Sequence, residues 1–183
     1  LMQRIHHLAM DVELELGVRA VADPHRADAA PAGAGLSIAL SGDLRVAIPS
    51  CKITTAFAKV GLSGDYGGTY FLTQMLGSAK ARELYLTSPV LSATEAYNLG
   101  MVTKVVPDAE IDAEAHSLAM SLAQGPSVTL GYIKRNINNA ETMSLEACFD
   151  AEAIHHSRSG ETADHKEAAK AFVEKRKPAF QGH

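Results

Sequence analysis

Two short glycine-bearing stretches constrain the fold of this chain more than any other feature of its sequence. The first begins Gly33-Ala34-Gly35, the second runs Gly64-Asp65-Tyr66-Gly67-Gly68, and each leads directly into an apolar helical pattern. The start of a helix leaves backbone N–H groups without intrahelical partners, and the helix dipole adds positive potential there. Each junction therefore predicts a helix N-terminus that favours negative charge, including an oxyanion that exists only during a reaction.

The middle of the chain alternates short strand patterns with helical ones. Strands are predicted at 44–48, 51–55 and 101–105, and helices at 68–76, 79–87 and 93–99. Ser92 followed three residues later by Glu95 predicts a capping box at the start of the third of these helices. This alternation indicates an α/β fold.

The two ends of the chain differ from the middle. Residues 1–18 have apolar residues near helical spacing, which predicts a helix, whereas 19–32 are polar and bracketed by prolines, which predicts a loop or a disordered segment. Beyond residue 107 the pattern is helical throughout, with helices expected at 108–124, from 126 or 127 to 140, at 144–159 and at 162–175. We therefore expect a core region over 1–107 and a helical region over 108–183.

Charge and composition narrow the function classes. A net charge of −4 provides no basic field for nucleic acid, and no apolar run reaches membrane-spanning length. Cys51 and Cys148 match no zinc or redox spacing, so we expect reduced thiols in a cytoplasmic protein. Adjacent histidine pairs diverge on a helix, so the eight histidines predict no metal site.

Three further runs strengthen the pattern set by the two glycine stretches. With the runs at 79–87, 92–102 and 172–177, the chain resembles the crotonase superfamily, the enoyl-CoA hydratase/isomerase family, from about Gly33 to the C-terminus. The resemblance implies an α/β, crotonase-like fold: a spiral core of ββα units, incomplete at its N-terminus, and a C-terminal helical region that forms homotrimers, often paired into hexamers. It also implies an acyl-CoA thioester as substrate, with coenzyme A as part of that substrate and no separate cofactor.

The resemblance implies that the first glycine stretch binds the thioester oxygen, which becomes an oxyanion during the reaction. It makes the backbone N–H of Ala34 one of two donors to the thioester oxygen, with Gly33 and Gly35 beside it in the substrate-binding loop. The alternative is that this stretch is only a tight helix entry. No motif for the second donor occurs in 1–32, where the family has a buried apolar strand, so we expect that segment to be rebuilt or the chain to be atypical or truncated.

The residues at the family's catalytic positions give little support for a hydratase, which adds water to an enoyl-CoA. Hydratases of the family use two glutamates that hold and activate water, and these positions fall on Ser37 and Phe57. A serine hydroxyl is a poor base at neutral pH, and a phenylalanine carries no proton. The residues at these two positions therefore predict substrate contacts rather than a two-glutamate hydratase mechanism.

Asp65, next to Gly64, is the remaining acidic candidate. Its position resembles the aspartate used by dienoyl-CoA isomerases and by some CoA-thioester dehalogenases of the family, which implies proton transfer between carbons or nucleophilic attack. The alternative is that Asp65 only caps the helix that begins near Gly67, because aspartate is a favoured N-cap residue. Both interpretations remain open from the sequence.

Near the C-terminus, Phe172 and Lys175 match family contacts to the adenine and phosphates of coenzyme A. An ordinary amphipathic helix end, with basic residues that offset the helix dipole, explains them equally well. The resemblance as a whole implies an acyl-CoA-processing enzyme of the enoyl-CoA hydratase/isomerase family, a lyase or isomerase. The alternative, favoured by the loss of both glutamates, is a non-catalytic acyl-CoA-binding or scaffold subunit.

Overall fold

The computed structural model describes residues 18–20 by their backbone and residues 31–183 in full. The chain divides into two compact units, one over Gly17–Ala119 and one that contains Met120–His183. The division expected after residue 107 stays a prediction about the region boundary.

Short strands form the framework of the first unit. In chain order they are β1 (Val18–Ala20), β2 (Leu44–Ala47), β3 (Lys52–Ile53), β4 (Leu91–Ser92) and β5 (Lys104–Val105). In the described residues, β1, β2 and β5 make a parallel sheet in the order β1-β2-β5, and β3 pairs antiparallel with β4. The strands predicted at 44–48, 51–55 and 101–105 are therefore present, the first shorter by one residue and the other two shorter by three residues each than expected.

The helices of this unit begin close to where the sequence predicts. They are α1 (Ala34–Leu40), α2 (Gly68–Thr87), α3 (Ala93–Asn98) and α4 (Ile111–Ala123, which continues into the second unit), with 3-10 turns at Phe57–Val60 and Asp108–Glu110. The path of α2 is interrupted at Gly77, whose φ of 76° and ψ of 158° are not helical, so the two helices predicted at 68–76 and 79–87 are confirmed. The capping box is also confirmed, because Ser92 Oγ accepts from the Glu95 amide at 3.2 Å and Glu95 accepts from the Ser92 amide at 2.7 Å.

A buried apolar cluster lies among these elements. Its members come from α1, the β2 and β3 segments, α2, α3, the segment after α3 and the start of α4. They include Leu36, Leu40, Val46, Ile53, Leu72, Leu84, Ala96, Met101, Val106 and Ile111. Arg45 is buried beside it, and its Nε donates to the Met101 carbonyl at 2.7 Å. Burial lowers the pKa of this guanidinium, against the opposing effect of Asp43. The cluster holds α1 and α2, and with them both glycine stretches, against the strands.

The N-terminal prediction needs one correction. Most of the helix expected over 1–18 lies outside the described residues, as does most of the loop expected over 19–32. Where the backbone is described, Val18 to Ala20 is neither helix nor loop but a strand in parallel register with Leu44 to Val46. The loop prediction is thus wrong at Arg19 and Ala20, because pairing with a neighbouring strand outweighs a weak local pattern.

The second unit is helical, as expected. It contains α5 (Ser127–Ala140), α6 (Leu145–Glu161) and α7 (Ala163–Val173), and the hydroxyls of Ser144 and Thr162 cap α6 and α7. The chain after α7 folds back on it, since the buried Asp164 carboxylate accepts from the amides of Gln181 at 2.7 Å and Gly182 at 2.9 Å. None of the helices in the described residues is both long and apolar enough to cross a bilayer.

Candidate active site at the two glycine stretches

The first glycine stretch forms the entry to α1. The Gly33 amide donates to the Thr54 carbonyl at 3.2 Å, which fixes the turn to the segment after β3. The amides of Gly35 and Ser37 donate to carbonyls of the same turn, both at 3.1 Å. Among the described residues, the Ala34 amide at the start of α1 has no acceptor. One backbone donor is therefore available at this junction.

Ser37 lies one helical turn into α1 and is almost completely buried, with 1% of its surface exposed. Its hydroxyl donates to the Gly33 carbonyl at 3.2 Å. A Cβ atom added at Gly68 would lie 2.2 Å from Ser37 Oγ and 2.4 Å from the Tyr85 hydroxyl oxygen. Only glycine at position 68 leaves room for both hydroxyl groups. The backbone at the start of α2 therefore lies close to Ser37 of α1 and to Tyr85 in the later part of α2.

The second glycine stretch forms a tight turn that presents Asp65. The Gly68 amide donates to the Asp65 carbonyl at 3.1 Å, and the two residues between them have positive φ angles of 47° and 74°. The N-cap residue of α2 is Gly67, and no side chain caps this helix. The interpretation of Asp65 as a helix cap is therefore wrong. Its side chain is exposed, and within the described residues its carboxylate has no hydrogen-bond or ion-pair partner.

Tyr85, in the later part of α2, lies between the two stretches and was not among the residues predicted for the site. Its ring is parallel to that of Phe57, with an interplanar angle of 2° and centroids 6.1 Å apart. Its edge atom Cε1 lies 3.2 Å from where a Cβ of Gly64 would be, and the Phe57 ring lies 3.4 Å from where a Cβ of Gly33 would be. Two stacked rings thus connect the neighbours of Ala34 and Asp65.

The Tyr85 hydroxyl and Asp65 share one electrostatic environment. Burial raises the pKa of this phenol, and the negative charge of Asp65 raises it further, while the adjacent Ser37 hydroxyl opposes both. A sequence signal for this residue existed, because Tyr85 is four positions after the buried Ala81 and so lies on the same helix face.

A buried polar network fixes the stacked rings. Thr55 Oγ1 donates to the Leu84 carbonyl at 2.9 Å and is 3.1 Å from Ser88 Oγ. Thr55 and Ser88 are both buried, so these bonds tie the segment that leads to Phe57 to the end of α2 that carries Tyr85. Phe57 itself is buried, and the two positions matched to hydratase glutamates therefore hold a buried hydroxyl and a buried hydrocarbon ring.

Phe172 and Lys175 lie at the end of α7, in the second unit. The Phe172 side chain is 85% exposed, and Lys175 is also exposed, with a φ of 54°. Their neighbour Arg176 instead pairs with Glu174 at 2.6 Å and with Glu167 at 3.0 Å. The aromatic side chain therefore remains accessible while the adjacent guanidinium is held on the surface of α7.

Histidines of the second unit occupy two settings. His155 is buried, stacks on Tyr132 with centroids 4.5 Å apart and bonds to Asn136, and its burial lowers its pKa, with Arg135 and Arg158 acting in the same direction. His156 and His165 border a cavity of about 420 Å³ whose wall includes Phe180. In the described part of the chain, no group of three or more histidine, cysteine or acidic side chains is placed to hold a metal ion.

Comparison with known proteins gives a consistent result. The family model described as enoyl-CoA hydratase/isomerase matches residues 28–183. The chain is 42% identical over 151 residues to a 1,2-epoxyphenylacetyl-CoA isomerase of Escherichia coli, covering 82% of this chain and 58% of that protein. It is 30% identical over 145 residues to a short-chain-enoyl-CoA hydratase of Clostridium acetobutylicum, covering 79% of this chain and 56% of the relative.

A solved structure supports the fold. The crystal structure of an enoyl-CoA hydratase from a Polaromonas species superposes with a TM-score of 0.79 at 34% identity, covering 83% of this chain and 59% of that one. The α/β, crotonase-like fold that the resemblance implied is thereby confirmed. The chain spans less than two thirds of the length of the relatives it matches here.

Proposed function

Because the chain belongs to the enoyl-CoA hydratase/isomerase family, we propose that it acts as an acyl-CoA isomerase in which Asp65 moves the proton. The observation that carries this proposal is the position of the Asp65 carboxylate. It is exposed on a turn beside α2, it does not cap that helix, and two stacked rings connect its turn to the Ala34 loop. The 42% identity to a protein named as an isomerase supports the same reaction class.

The proposed reaction is a redox-neutral proton shuttle. The Asp65 carboxylate takes a proton from a carbon of the acyl chain, and the electron pair of the broken C–H bond moves into the thioester. The negative charge that develops on the thioester oxygen is stabilised by the free N–H of Ala34. The carboxylic acid then returns its proton to a different carbon, and the thioester carbonyl re-forms. A positioned general acid/base contributes about 10²–10⁴-fold to such a step.

Hydration of an enoyl-CoA is not expected to be efficient. Ser37 is 1% exposed and its hydroxyl donates to the Gly33 carbonyl, so it is engaged within α1. Phe57 is buried and stacked on Tyr85. Neither residue can remove a proton from water at neutral pH, so turnover of crotonyl-CoA to its hydrated product should be very weak.

The C-terminal unit is proposed to bind coenzyme A and to assemble. Phe172 offers an exposed aromatic face for adenine, and Lys175 offers a positive charge for phosphates. We propose homotrimers, paired or not into hexamers, because large apolar side chains such as Phe149 and Val173 are also exposed there. Sedimentation of a compact monomer at micromolar concentration would contradict this assembly.

The test compares wild-type protein with Asp65→Asn, using enoyl-CoA and dienoyl-CoA thioesters and following both isomerisation and hydration. The variant keeps the size of the side chain and removes the titrating group, so isomerisation should fall by about 10²–10⁴-fold. Because Asp65 is exposed and does not cap α2, the free energy of unfolding should change by less than about 0.5 kcal/mol. Affinity for coenzyme A should stay unchanged.

Asp112→Asn is the matched control, since Asp112 is also exposed and lies in the first turn of α4. It should keep full activity. An active Asp65→Asn protein would remove Asp65 from the mechanism. A wild-type protein that binds acyl-CoA without turning it over would instead favour a non-catalytic binding or scaffold subunit.

A further inference from the structure

Tyr85 makes contacts on both sides of the candidate site. On one side its ring edge occupies the space that a side chain at position 64, the residue before Asp65, would need, and on the other side its ring stacks on Phe57. The Phe57 ring in turn borders the space that a side chain at position 33, the residue before Ala34, would occupy. The distance between the Ala34 amide and the Asp65 turn is therefore spanned by two rings in series.

We propose that Tyr85 is a positioning residue, whose ring, stacked on Phe57, holds the Asp65 turn at a fixed distance from the Ala34 loop. This inference rests on the proposed function, in which the Ala34 amide and the Asp65 carboxylate act on the same thioester. Such a role requires a rigid spacer, and the parallel rings provide one, with an interplanar angle of 2°.

The surroundings of Tyr85 restrict it to one orientation. Its hydroxyl is confined between Ser37 and Gly68, where a single added carbon atom would lie within 2.4 Å of it. At its backbone, the carbonyl of Tyr85 accepts from Ser88 Oγ at 3.3 Å, and Ser88 also contacts Thr55. The close walls around the ring and the hydrogen bond at its backbone thus leave the ring little room to move.

The phenol itself is not expected to exchange protons with the substrate. Burial and the charge of Asp65 both raise the pKa of Tyr85, so the hydroxyl stays protonated at neutral pH. Its effect on the reaction is therefore exerted through the placement of Asp65. The ring, rather than the hydroxyl, should be the part of Tyr85 that the reaction needs.

The test is a series of substitutions that separates the ring from the hydroxyl. Tyr85→Ala removes the spacer, and because a misplacement of about 1 Å can cost on the order of 10²-fold, kcat should fall by about 100-fold with a much smaller change in KM. Tyr85→Phe keeps the ring and should retain most of the wild-type kcat. Tyr85→Leu also removes the ring but fills part of the space it leaves, so this variant replaces the alanine variant if that variant fails to fold.

Leu86→Ala is the control for helix perturbation, because Leu86 is the next residue of α2 and is 77% exposed. It should change neither kcat nor KM. Wild-type kcat in both Tyr85→Ala and Tyr85→Leu would overturn the positioning role. A loss in Tyr85→Phe as large as in Tyr85→Ala would overturn it as well, by assigning the effect to the hydroxyl.

Amide hydrogen exchange provides a readout that does not depend on turnover. The Gly68 amide bonds within the Asp65 turn, and the Gly33 amide bonds to Thr54 at the other end of the ring pair. Both amides should exchange faster in Tyr85→Ala and remain protected in Tyr85→Phe. If wild-type protein shows no isomerase activity, the proposed function is wrong. If the Gly68 and Gly33 amides exchange at the wild-type rate in Tyr85→Ala, the positioning role of Tyr85 is wrong, whatever the activity.

Discussion

Replacement of Gly68 by alanine tests the convergence on which the site depends. The added methyl group would lie 2.2 Å from Ser37 Oγ, 2.4 Å from the Tyr85 hydroxyl and 3.1 Å from Ser37 Cβ, whereas ordinary contacts begin near 3.4 Å. Neither hydroxyl can simply rotate away. Ser37 Oγ is buried and donates to the Gly33 carbonyl, and the Tyr85 oxygen is at the end of a ring stacked on Phe57.

The magnitude follows from two opposing effects. Overpacking of this kind costs about 1–3 kcal/mol, and replacing glycine by alanine in a helix returns roughly 0.5–1 kcal/mol. The middle of each range leaves a loss of about 1 kcal/mol in the free energy of unfolding of Gly68→Ala, which corresponds to a decrease in Tm of roughly 2–4 °C for a chain of this size. Urea titration should show a lower midpoint with an unchanged slope.

Two further variants decide whether the contact causes the loss. Gly35→Ala is the control, because a Cβ there would meet nothing within 4 Å, so this protein should be as stable as wild type or more stable by up to about 1 kcal/mol. Ser37→Ala removes the oxygen nearest the new methyl group, so the double variant with Gly68→Ala should be more stable than the sum of the single effects by about 0.5–3 kcal/mol. Wild-type stability in Gly68→Ala, or strict additivity in the double variant, would refute the convergence.

Two other predictions concern local structure outside the site. Ser92→Ala removes the N-cap of α3 and should cost about 1 kcal/mol in urea unfolding, whereas Thr94→Ala, at an exposed position in the same turn, should stay within about 0.5 kcal/mol. The ion pair of Glu167 with Arg176, assisted by the Ala179 amide, lowers the pKa of Glu167 to about 2. A carboxyl group whose pKa is lowered by folding stabilises the protein at pH values above its pKa in the unfolded chain. Glu167→Gln should therefore have a lower Tm than wild type at pH 7, and this difference should shrink as the pH falls from about 4.5 to about 2. A difference in Tm that does not vary with pH would contradict the role of this charge.

Helices and their ends were predictable from the sequence because their determinants are local. The capping box of Ser92 and Glu95, the caps at Ser144 and Thr162, and the glycine entries to α1 and α2 all depend on residues a few positions apart. The same local motifs, in a fixed order along the chain, also carried the resemblance that predicted the family. Both the family and the α/β, crotonase-like fold could therefore be predicted from the sequence alone.

The tertiary structure decided what depends on residues far apart in the chain. The strand β1 exists because it pairs with β2, more than twenty residues later, and no local pattern outside the pair indicates it. The N-cap residue of α2 is Gly67, and no side chain caps this helix. Only the structure could therefore show that Asp65 is not a cap. Tyr85 meets Ser37 and Phe57 across separations of dozens of residues, and packing of this kind follows from the whole core rather than from spacing along one helix.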